Sequence, residues 1–368
     1  MNKYYSIATP ILNGNEKKYV MDCLNSTWIS SNGPYLDQFE QQFAAFCQTK
    51  HAIACSNGTT ALHLALMAHG VRPEDEVIVP TLTFVASANA VTYCGAVPVF
   101  VDAESETWNI DTDAIESKIT PRTKGIIAVH LYGHPANMDP IMHIAQKHDL
   151  FVIEDAAEAI GAQYKGKMAG SLGHTATFSL FGNKIITTGE GGVVTTNDDD
   201  LAEKVRLLKG QGIDKNKKYW HPVIGYNYRM TNIQAAIGCA QLENIDWHIR
   251  QRIRVAMHYY DYLQDDDRLT LPVQKIWSKN VYWMFSVVLN RYTELQRDSV
   301  MKCLKDNGIE TRPFFYPMHI LPPYKQGLTF TDFPVANRIA SQGINLPSHG
   351  ELTEGDIRFI CRTLKNVL

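Results

Sequence analysis

Four short runs rich in β-branched residues decide the fold: Glu76-Val-Ile-Val-Pro80, Val97-Pro-Val-Phe-Val-Asp102, Gly125-Ile-Ile-Ala-Val-His130 and Leu150-Phe-Val-Ile-Glu-Asp155. Runs of this length and composition are typical of buried strands. A fifth run of the same kind, Gly192-Val-Val-Thr-Thr196, follows later in the chain. Helical patterns occupy residues 60–70, 84–95 and 140–148, so strands and helices alternate. This alternation predicts an α/β fold with a mostly parallel central sheet flanked by helices.

The pattern changes near residue 245. A charged helical pattern covers residues 247–263, and a strand pattern over residues 282–289 and a helical pattern over residues 299–307 follow. These elements predict a second, smaller α+β domain. We therefore expect a large domain over residues 1–250 and a small one over residues 251–368, with the boundary inside a long helix. Residues 1–20 are expected to be able to pack with the small domain.

The composition narrows the class of protein. Of the 368 residues, 45% are hydrophobic and 20% are charged, as in ordinary folded soluble domains. The 35 Lys and Arg and 38 Asp and Glu residues give a formal net charge of −3, which argues against a broad electrostatic surface for nucleic acid or anionic lipid. The seven cysteines lack metal-ligand spacing, so we predict no metal site and a reducing compartment. Without a run apolar enough for a signal peptide or membrane span, we expect a cytoplasmic protein.

The segment Phe178-Ser-Leu-Phe-Gly-Asn-Lys-Ile-Ile-Thr-Thr-Gly-Glu-Gly-Gly192 carries the strongest chemical signal. Lys184 lies among apolar and small residues, and partial desolvation lowers the pKa of a lysine amine, so that some neutral nucleophile exists. The glycines that follow allow a cofactor to approach the backbone closely. The segment therefore indicates a Schiff-base lysine. A surface lysine at the end of a hairpin remains the alternative.

Asp155 ends an apolar strand upstream of this lysine. In an open α/β sheet the ligand crevice lies beyond the carboxyl ends of the strands, so this carboxylate is expected at the site. A carboxylate that faces a pyridinium nitrogen keeps it protonated, which pyridoxal phosphate needs as an electron sink. A solvated strand-end Asp or a helix N-cap is the alternative.

Two further segments complete the pattern. In Cys55-Ser-Asn-Gly-Thr-Thr-Ala61, small and hydroxyl residues run into an apolar helix, whose free N–H groups and dipole suit a phosphate. Phe84 follows a strand and offers a flat face for a planar cofactor. An ordinary helix cap and a core aromatic are the alternatives. Taken together, a phosphate cradle, an aromatic plate, a strand-end Asp and a desolvated Lys predict a pyridoxal 5′-phosphate site.

Five motifs make the sequence similar to a known family: Ser26-Thr-Trp-Ile-Ser-Ser31, Val79-Pro-Thr-Leu-Thr-Phe84, Glu154-Asp-Ala-Ala-Glu-Ala159, Phe181-Gly-Asn-Lys184 with Gly189-Glu-Gly-Gly192, and Gly225-Tyr-Asn-Tyr-Arg-Met-Thr-Asn232. Over nearly its full length the chain resembles the DegT/DnrJ/EryC1/StrS aminotransferases, which have the fold-type-I architecture and act on nucleotide-linked keto sugars. Relatives usually carry Phe in place of Leu180, an apolar exchange that leaves the chemistry intact. Some sugar dehydratases of this fold carry histidine where Lys184 stands, and the lysine argues against that activity.

The resemblance implies a role for each matching residue. Lys184 forms the Schiff base with pyridoxal phosphate and is the catalytic residue, and Asp155 pairs with the pyridine nitrogen. The remaining cofactor contacts that it implies are Phe84 on the ring, Gly58, Thr59 and Ser179 at the phosphate, Glu158 near the phenolic oxygen, and Asn227 at the phosphate of the neighbouring subunit's cofactor. The last contact implies a homodimer with shared active sites.

The resemblance also implies the reaction. L-Glutamate gives its amino group to the cofactor, which passes through the pyridoxamine phosphate form, and 2-oxoglutarate leaves. A nucleotide-linked 4-keto-6-deoxy sugar then receives the amino group. The first expectation is GDP-4-keto-6-deoxy-D-mannose, aminated for the O-antigen of lipopolysaccharide or another surface polysaccharide. For the sugar and its diphosphate, the candidate contacts are Trp28, Arg229, Arg312 and His319; a surface aromatic, ion-pair arginines and a satisfied loop histidine are the alternatives.

Three other functions remain open or are set aside. Within the same class, the acceptor could be a UDP- or dTDP-linked keto sugar. In a different class, the chain could bind the cofactor without turnover, as a sensor, although the presence of both Lys184 and Asp155 argues against this. A dinucleotide-dependent oxidoreductase is discounted, because the first strand is not followed by a G-x-G-x-x-G turn.

Overall fold

The structure, a computed structural model, describes residues 3–325, 327 and 329–368. Residues 1 and 2, which belong to the segment expected near the small domain, lie outside the described residues. The central element is a seven-stranded sheet. Its strands, in chain order along the molecule, are β1 (His51–Cys55), β2 (Glu76–Pro80), β3 (Val97–Val101), β4 (Thr123–Val129), β5 (Phe151–Asp155), β8 (Thr175–Ser179) and β9 (Gly192–Thr196). Two short strands, β6 (Gln163–Tyr164) and β7 (Lys167–Met168), lie between β5 and β8 in the chain.

The strand order β1-β9-β8-β5-β4-β2-β3 confirms the predicted α/β sheet. The block from β3 to β8 is parallel throughout. Strand β9 is antiparallel to β8 and to β1, so the run at residues 192–196 joins the sheet in the opposite direction. Because β5 and β8 are parallel neighbours, their carboxyl ends bring Asp155 and Ser179 to the same edge of the sheet.

Seven of the α-helices connect or cover these strands, or lie before them in the chain: α1 (Glu16–Ser26), α2 (Pro34–Cys47), α3 (Gly58–Ala68), α4 (Ala86–Tyr93), α5 (Thr112–Ile115), α6 (Met138–His148) and α7 (Asp199–Lys209). Sequence predicts α3, α4 and α6 to within two residues at each end. It does not predict α1 or α2, both of which pack against a later helix, α8 (Asn232–Glu243). Their polar faces hide the periodicity, and their buried sides are defined by contact with α8 and, for α2, also with β1.

The remaining part of the chain begins with the long helix α9 (Ile245–Leu263). It continues through strands β10 (Leu269–Thr270), β11 (Ser278–Lys279), β12 (Phe285–Leu289), β13 (Arg312–Pro313) and β14 (Gly343–Leu346), and helices α10 (Glu294–Asp306), α11 (Pro334–Gln342) and α12 (Glu354–Val367). Strands β10, β12, β14 and β13 form a separate antiparallel sheet, as an α+β arrangement requires. Strand β11 instead pairs with β6, which lies between β5 and β8 in the chain.

The N-terminal segment contacts this C-terminal sheet region. Tyr5 forms a parallel bridge with Ile309, and the Lys3 ammonium lies 2.6 Å from a carboxylate oxygen of Asp356 in α12. Helix α9 runs through residue 250, so the expected boundary falls within one continuous helix. None of the helices in the described ranges combines the length and apolar character that crossing a bilayer requires.

Candidate active site

A cavity of about 430 Å³ lies at the carboxyl edge of the parallel strands, within the size range of small-molecule sites. Many residues predicted for the site line it: Gly58, Thr59, Phe84, Asp155, Glu158, Ser179, Lys184 and Arg312. They come from the ends of β5 and β8 and the loops that follow these strands, from the segment between β2 and α4, from the start of α3 and from β13. The sheet therefore brings together residues that are dispersed along the chain.

The start of α3 provides an anion site. Asn57 is the N-cap, and its side chain accepts a hydrogen bond from the Thr60 N–H group at 2.9 Å. This leaves the first N–H groups of the helix, those of Gly58 and Thr59, for an external acceptor. A Cβ atom at Gly58 would lie only 2.8 Å from the Cβ atom of Ser179, so glycine keeps the cradle open. The residues present fit a phosphate group.

Asp155 is held in one orientation. The residue is buried, and its Oδ2 atom accepts a hydrogen bond from the Ser87 hydroxyl at 2.7 Å. Its Oδ1 atom accepts the N–H group of Ala157 at 3.2 Å. Ser87 is fully buried in the first turn of α4. These two bonds fix the direction of the carboxylate at the cavity wall, where it would face a pyridinium nitrogen.

Lys184 and Glu158 form a buried, opposed pair. The amine end of Lys184 is enclosed by protein, although part of the residue is accessible. Burial lowers the pKa of Lys184, and the negative charges of Glu158 and Asp155 oppose that change. Burial likewise raises the pKa of Glu158, against the effects of Lys184 and of the Tyr132 N–H group, which donates to it at 2.7 Å. Both changes favour a neutral amine, which can act as a nucleophile or a base.

Aromatic rings form one wall of the cavity. Phe84 is unusually exposed for a phenylalanine, at 54%, because its ring faces open space rather than the core. Its ring centre lies 5.6 Å from that of Phe315, which stacks on Tyr132 at 5.3 Å. A planar ligand can therefore lie against Phe84 without displacing a core residue.

Four predicted residues do not line this cavity. Trp28 and Arg229 line a second cavity of about 530 Å³ beside the start of α2. Asn227 accepts hydrogen bonds from the Arg229 guanidinium and lies outside the first cavity. His319 is buried at 1% exposure, and its ring nitrogens contact the Thr81 hydroxyl at 2.7 Å and the Asn337 side chain at 3.1 Å. This geometry favours the alternative of a satisfied loop histidine.

The structure adds residues that the sequence did not indicate. Ser87 lies in the first turn of α4, three residues after Phe84, and no sequence pattern connects it with Asp155. Trp283 and Phe315 also line the cavity, together with Asn183 and Glu190. Trp283 and Phe315 come from the C-terminal part of the chain, and no local pattern connects them with Lys184.

Comparison with known proteins agrees with this geometry. Residues 10–365 match the DegT/DnrJ/EryC1/StrS aminotransferase family. The chain belongs to this family. It is 56% identical to a GDP-perosamine synthase of Caulobacter vibrioides, over 99% of this chain and 98% of that protein. It is 49% identical to a GDP-perosamine synthase of Escherichia coli O157:H7, over 98% of both chains. The crystal structure of DesV from S. venezuelae superposes with a TM-score of 0.90 at 35% identity, covering 96% of this chain and 94% of that one.

Membership confirms the predicted class and cofactor. The protein is a sugar aminotransferase that depends on pyridoxal 5′-phosphate. The predicted fold-type-I architecture is confirmed as well, since solved aminotransferases share the fold over 99% of this chain. The phosphate cradle at Gly58, the oriented carboxylate of Asp155 and the enclosed amine of Lys184 all fit this cofactor.

Replacing Ser87 with alanine tests how Asp155 is held. The Ser87→Ala variant should fold, but L-glutamate should aminate its bound cofactor about tenfold more slowly than in the wild-type protein. The reason is that a buried carboxylate that loses one hydrogen-bond partner is destabilised by roughly 1–3 kcal/mol. Stopped-flow absorbance of the cofactor measures this rate. The matched control is Ser117→Ala, since Ser117 is exposed and donates to Ala114. If the two variants react equally fast, Ser87 does not orient Asp155.

Proposed function

We propose that this protein transfers the amino group of L-glutamate to carbon 4 of GDP-4-keto-6-deoxy-D-mannose, so that 2-oxoglutarate and GDP-perosamine form. The observation that carries this proposal is the 56% identity with the Caulobacter vibrioides GDP-perosamine synthase, which extends over 99% of this chain. The product is destined for a surface polysaccharide such as an O-antigen. All seven cysteines are free thiols, which fits the cytoplasmic location that we include in the proposal.

Each residue of the cavity has a proposed task in binding the cofactor. Gly58, Thr59 and Ser179 hold its phosphate, Phe84 covers its ring and Asp155 pairs with the ring nitrogen. Glu158, which is buried and affects the protonation of Lys184, would lie near the cofactor's phenolic oxygen. Bound pyridoxal phosphate supplies an electron sink that makes the carbon bearing the amino group acidic.

Lys184 moves the proton. Burial lowers the pKa of its amine, which favours the neutral form that can accept a proton. It can therefore accept the proton from the amino-acid carbon and then donate it, acting first as base and then as acid. In the second half of the cycle Lys184 performs the same transfers in the opposite order on the sugar. The face of the sugar on which it protonates sets the configuration of the new amine.

Arg312 is the proposed contact for the substrate's diphosphate. It lines the cavity, its side chain is 46% exposed, and the nearest carboxylate oxygen, of Glu310, is 3.7 Å away. A guanidinium held this loosely can exchange its partner for a phosphate. Trp28 and Arg229, which lie outside this cavity, are proposed to act on the site of a neighbouring subunit.

An absorption spectrum tests donor and acceptor together. The cofactor band of the purified protein should bleach with L-glutamate and return on addition of GDP-4-keto-6-deoxy-D-mannose. A panel that includes UDP- and dTDP-linked keto sugars should restore it more slowly. If the band bleaches with L-glutamate but does not return with the GDP sugar, the protein is an aminotransferase and its acceptor is a different sugar. An absence of bleaching would support the cofactor-binding sensor instead.

Removing the amine tests the role of Lys184. The Lys184→Ala variant should keep its fold and bind pyridoxal phosphate without a covalent link, and it should lose transamination. Borohydride reduction followed by mass spectrometry detects the link, and product formation from L-glutamate and the GDP sugar detects turnover. Turnover at the wild-type rate in Lys184→Ala would show that Lys184 does not transfer the proton.

We also propose a homodimer with shared sites. Several large apolar residues are exposed on the segment before Asn227, with exposures of 77% for Tyr219, 53% for Trp220 and 88% for Ile224. Exposed apolar groups of this kind are typical of an interface. Asn227 itself lies outside the cavity of its own chain, which suits a residue that contacts the cofactor phosphate of the other subunit.

Mixing two inactive variants tests this arrangement. Lys184→Ala and Asn227→Ala should each be impaired at limiting cofactor. After unfolding and refolding together, they should regain about a quarter of the wild-type activity, because half of the randomly formed dimers are mixed and each mixed dimer holds one intact site. Separately refolded and then combined samples provide the control. If co-refolding restores nothing, Asn227 does not act across subunits.

A further inference from the structure

Trp283 contacts Lys184 although the two residues are far apart in the sequence. The Lys184 Nζ atom lies 3.9 Å from the centre of the Trp283 ring, which is within the range of a cation–π interaction. The Nε1–H group of the same indole donates to the backbone oxygen of Asn183 at 2.8 Å. One side chain therefore contacts both the amine of Lys184 and the peptide that precedes it.

Trp283 is itself fixed in place. It is only 4% exposed, and its backbone oxygen accepts a hydrogen bond from the buried Arg252 guanidinium at 3.1 Å. Its ring stacks on Tyr132, with the ring centres 6.3 Å apart. The indole thus has a defined orientation before the lysine approaches, and its ring forms part of the cavity wall.

Such a contact suits the proposed reaction. In each half of the proposed cycle, Lys184 is released from its covalent bond and must remain in place as base and acid. A lysine side chain is flexible, with about 2 kcal/mol of rotamer entropy. If Lys184 were held only by Glu158 and Asp155, its amine would be drawn toward the carboxylates. An aromatic face instead attracts the ammonium without removing its proton.

We infer that Trp283 is a positioning residue, which holds the amine of Lys184 against its ring whenever that amine is not bonded to the cofactor. The inference rests on the proposed function for its catalytic role, because the proposed cycle frees the Lys184 amine in each turnover. The contact itself is a property of the folded chain.

The pH dependence of Lys184 labelling reports this contact. The ring face favours the charged form of the amine, as do Asp155 and Glu158, whereas burial favours the neutral form. The other charged residues that line the cavity are Glu190 and Arg312, and they are unchanged in every variant. Loss of the ring alone should therefore lower the pH at which the amine becomes reactive.

The experiment measures labelling of Lys184 by acetic anhydride in the full-length protein, first freed of cofactor and then as the glutamate-treated holoenzyme. Mass spectrometry compares the Lys184 peptide with that of Lys302, which is exposed in α10. The variants are Trp283→Leu, which removes the ring, and Trp283→Phe, which keeps a ring face but removes the N–H donor. Trp277→Leu is the control, since this indole packs on Tyr164 and His134 and does not line the cavity.

In Trp283→Leu the midpoint of Lys184 labelling should move down by about one pH unit. This is the change in pKa that corresponds to losing a desolvated cation–π contact. Trp283→Phe should show a smaller shift in the same direction, and this milder variant carries the test if Trp283→Leu does not fold. A change in reagent access alters the maximal labelling rate and leaves the midpoint in place, and water entering the cavity would raise the midpoint.

An unchanged or raised midpoint in the Trp283 variants, or an equal shift in Trp277→Leu, would overturn the inference. Failure of the proposed function would look different. In that case the wild-type protein would show no cofactor band, or no bleaching with L-glutamate, while the labelling midpoints of the cofactor-free chains could still be compared.

Discussion

The end of strand β5 is held by one fully buried carboxylate, and the site depends on it. Glu154 accepts hydrogen bonds from the His130 ring at 3.0 Å and from the N–H groups of Gly170, Leu172 and Gly173 at 2.7 to 2.9 Å. A buried carboxylate is stable only when its acceptor positions are filled in this way. Because side chains alternate along a strand, the fixed Glu154 directs the adjacent Asp155 to the other face, toward the cavity.

With Asp155 fixed, the electrostatics of the cavity follow from burial. Asp155, Glu158 and Lys184 lie close enough for each to affect the protonation of another. Charging two carboxylates and one amine together in a poorly hydrated space costs free energy. Burial therefore shifts the protonation equilibria of Glu158 and Lys184 toward their neutral forms. Asp155 has fixed hydrogen-bond donors in the Ser87 hydroxyl and the Ala157 N–H group. These bonds fix the direction of the Asp155 carboxylate beside that pair.

The sequence predicted those parts of the site that local patterns encode. Asp155 ends a strand, Gly58 begins a helix and Lys184 precedes a glycine turn, and each of these positions can be identified within a short window. His319 was proposed from the resemblance and from the affinity of cationic donors for phosphate, and its ring instead packs on Phe333 with centres 4.2 Å apart. Trp283 could not be predicted, because its contact with Lys184 exists only after the C-terminal part of the chain has packed against the sheet. The antiparallel direction of β9 likewise depends on its pairing with β8.

Packing at one turn explains how these distant parts meet. Tyr132 and Gly133 have positive φ angles of 53° and 104°, and a Cβ atom on Gly133 would lie 2.9 Å from the backbone nitrogen of Trp283. Glycine is therefore needed for the two backbones to approach. The Gly133 oxygen accepts the N–H group of Val281 at 3.2 Å. Since the Tyr132 N–H group also donates to Glu158, the same turn holds that carboxylate and packs against the backbone of Trp283. Both parts of the chain therefore contribute neighbours of Lys184.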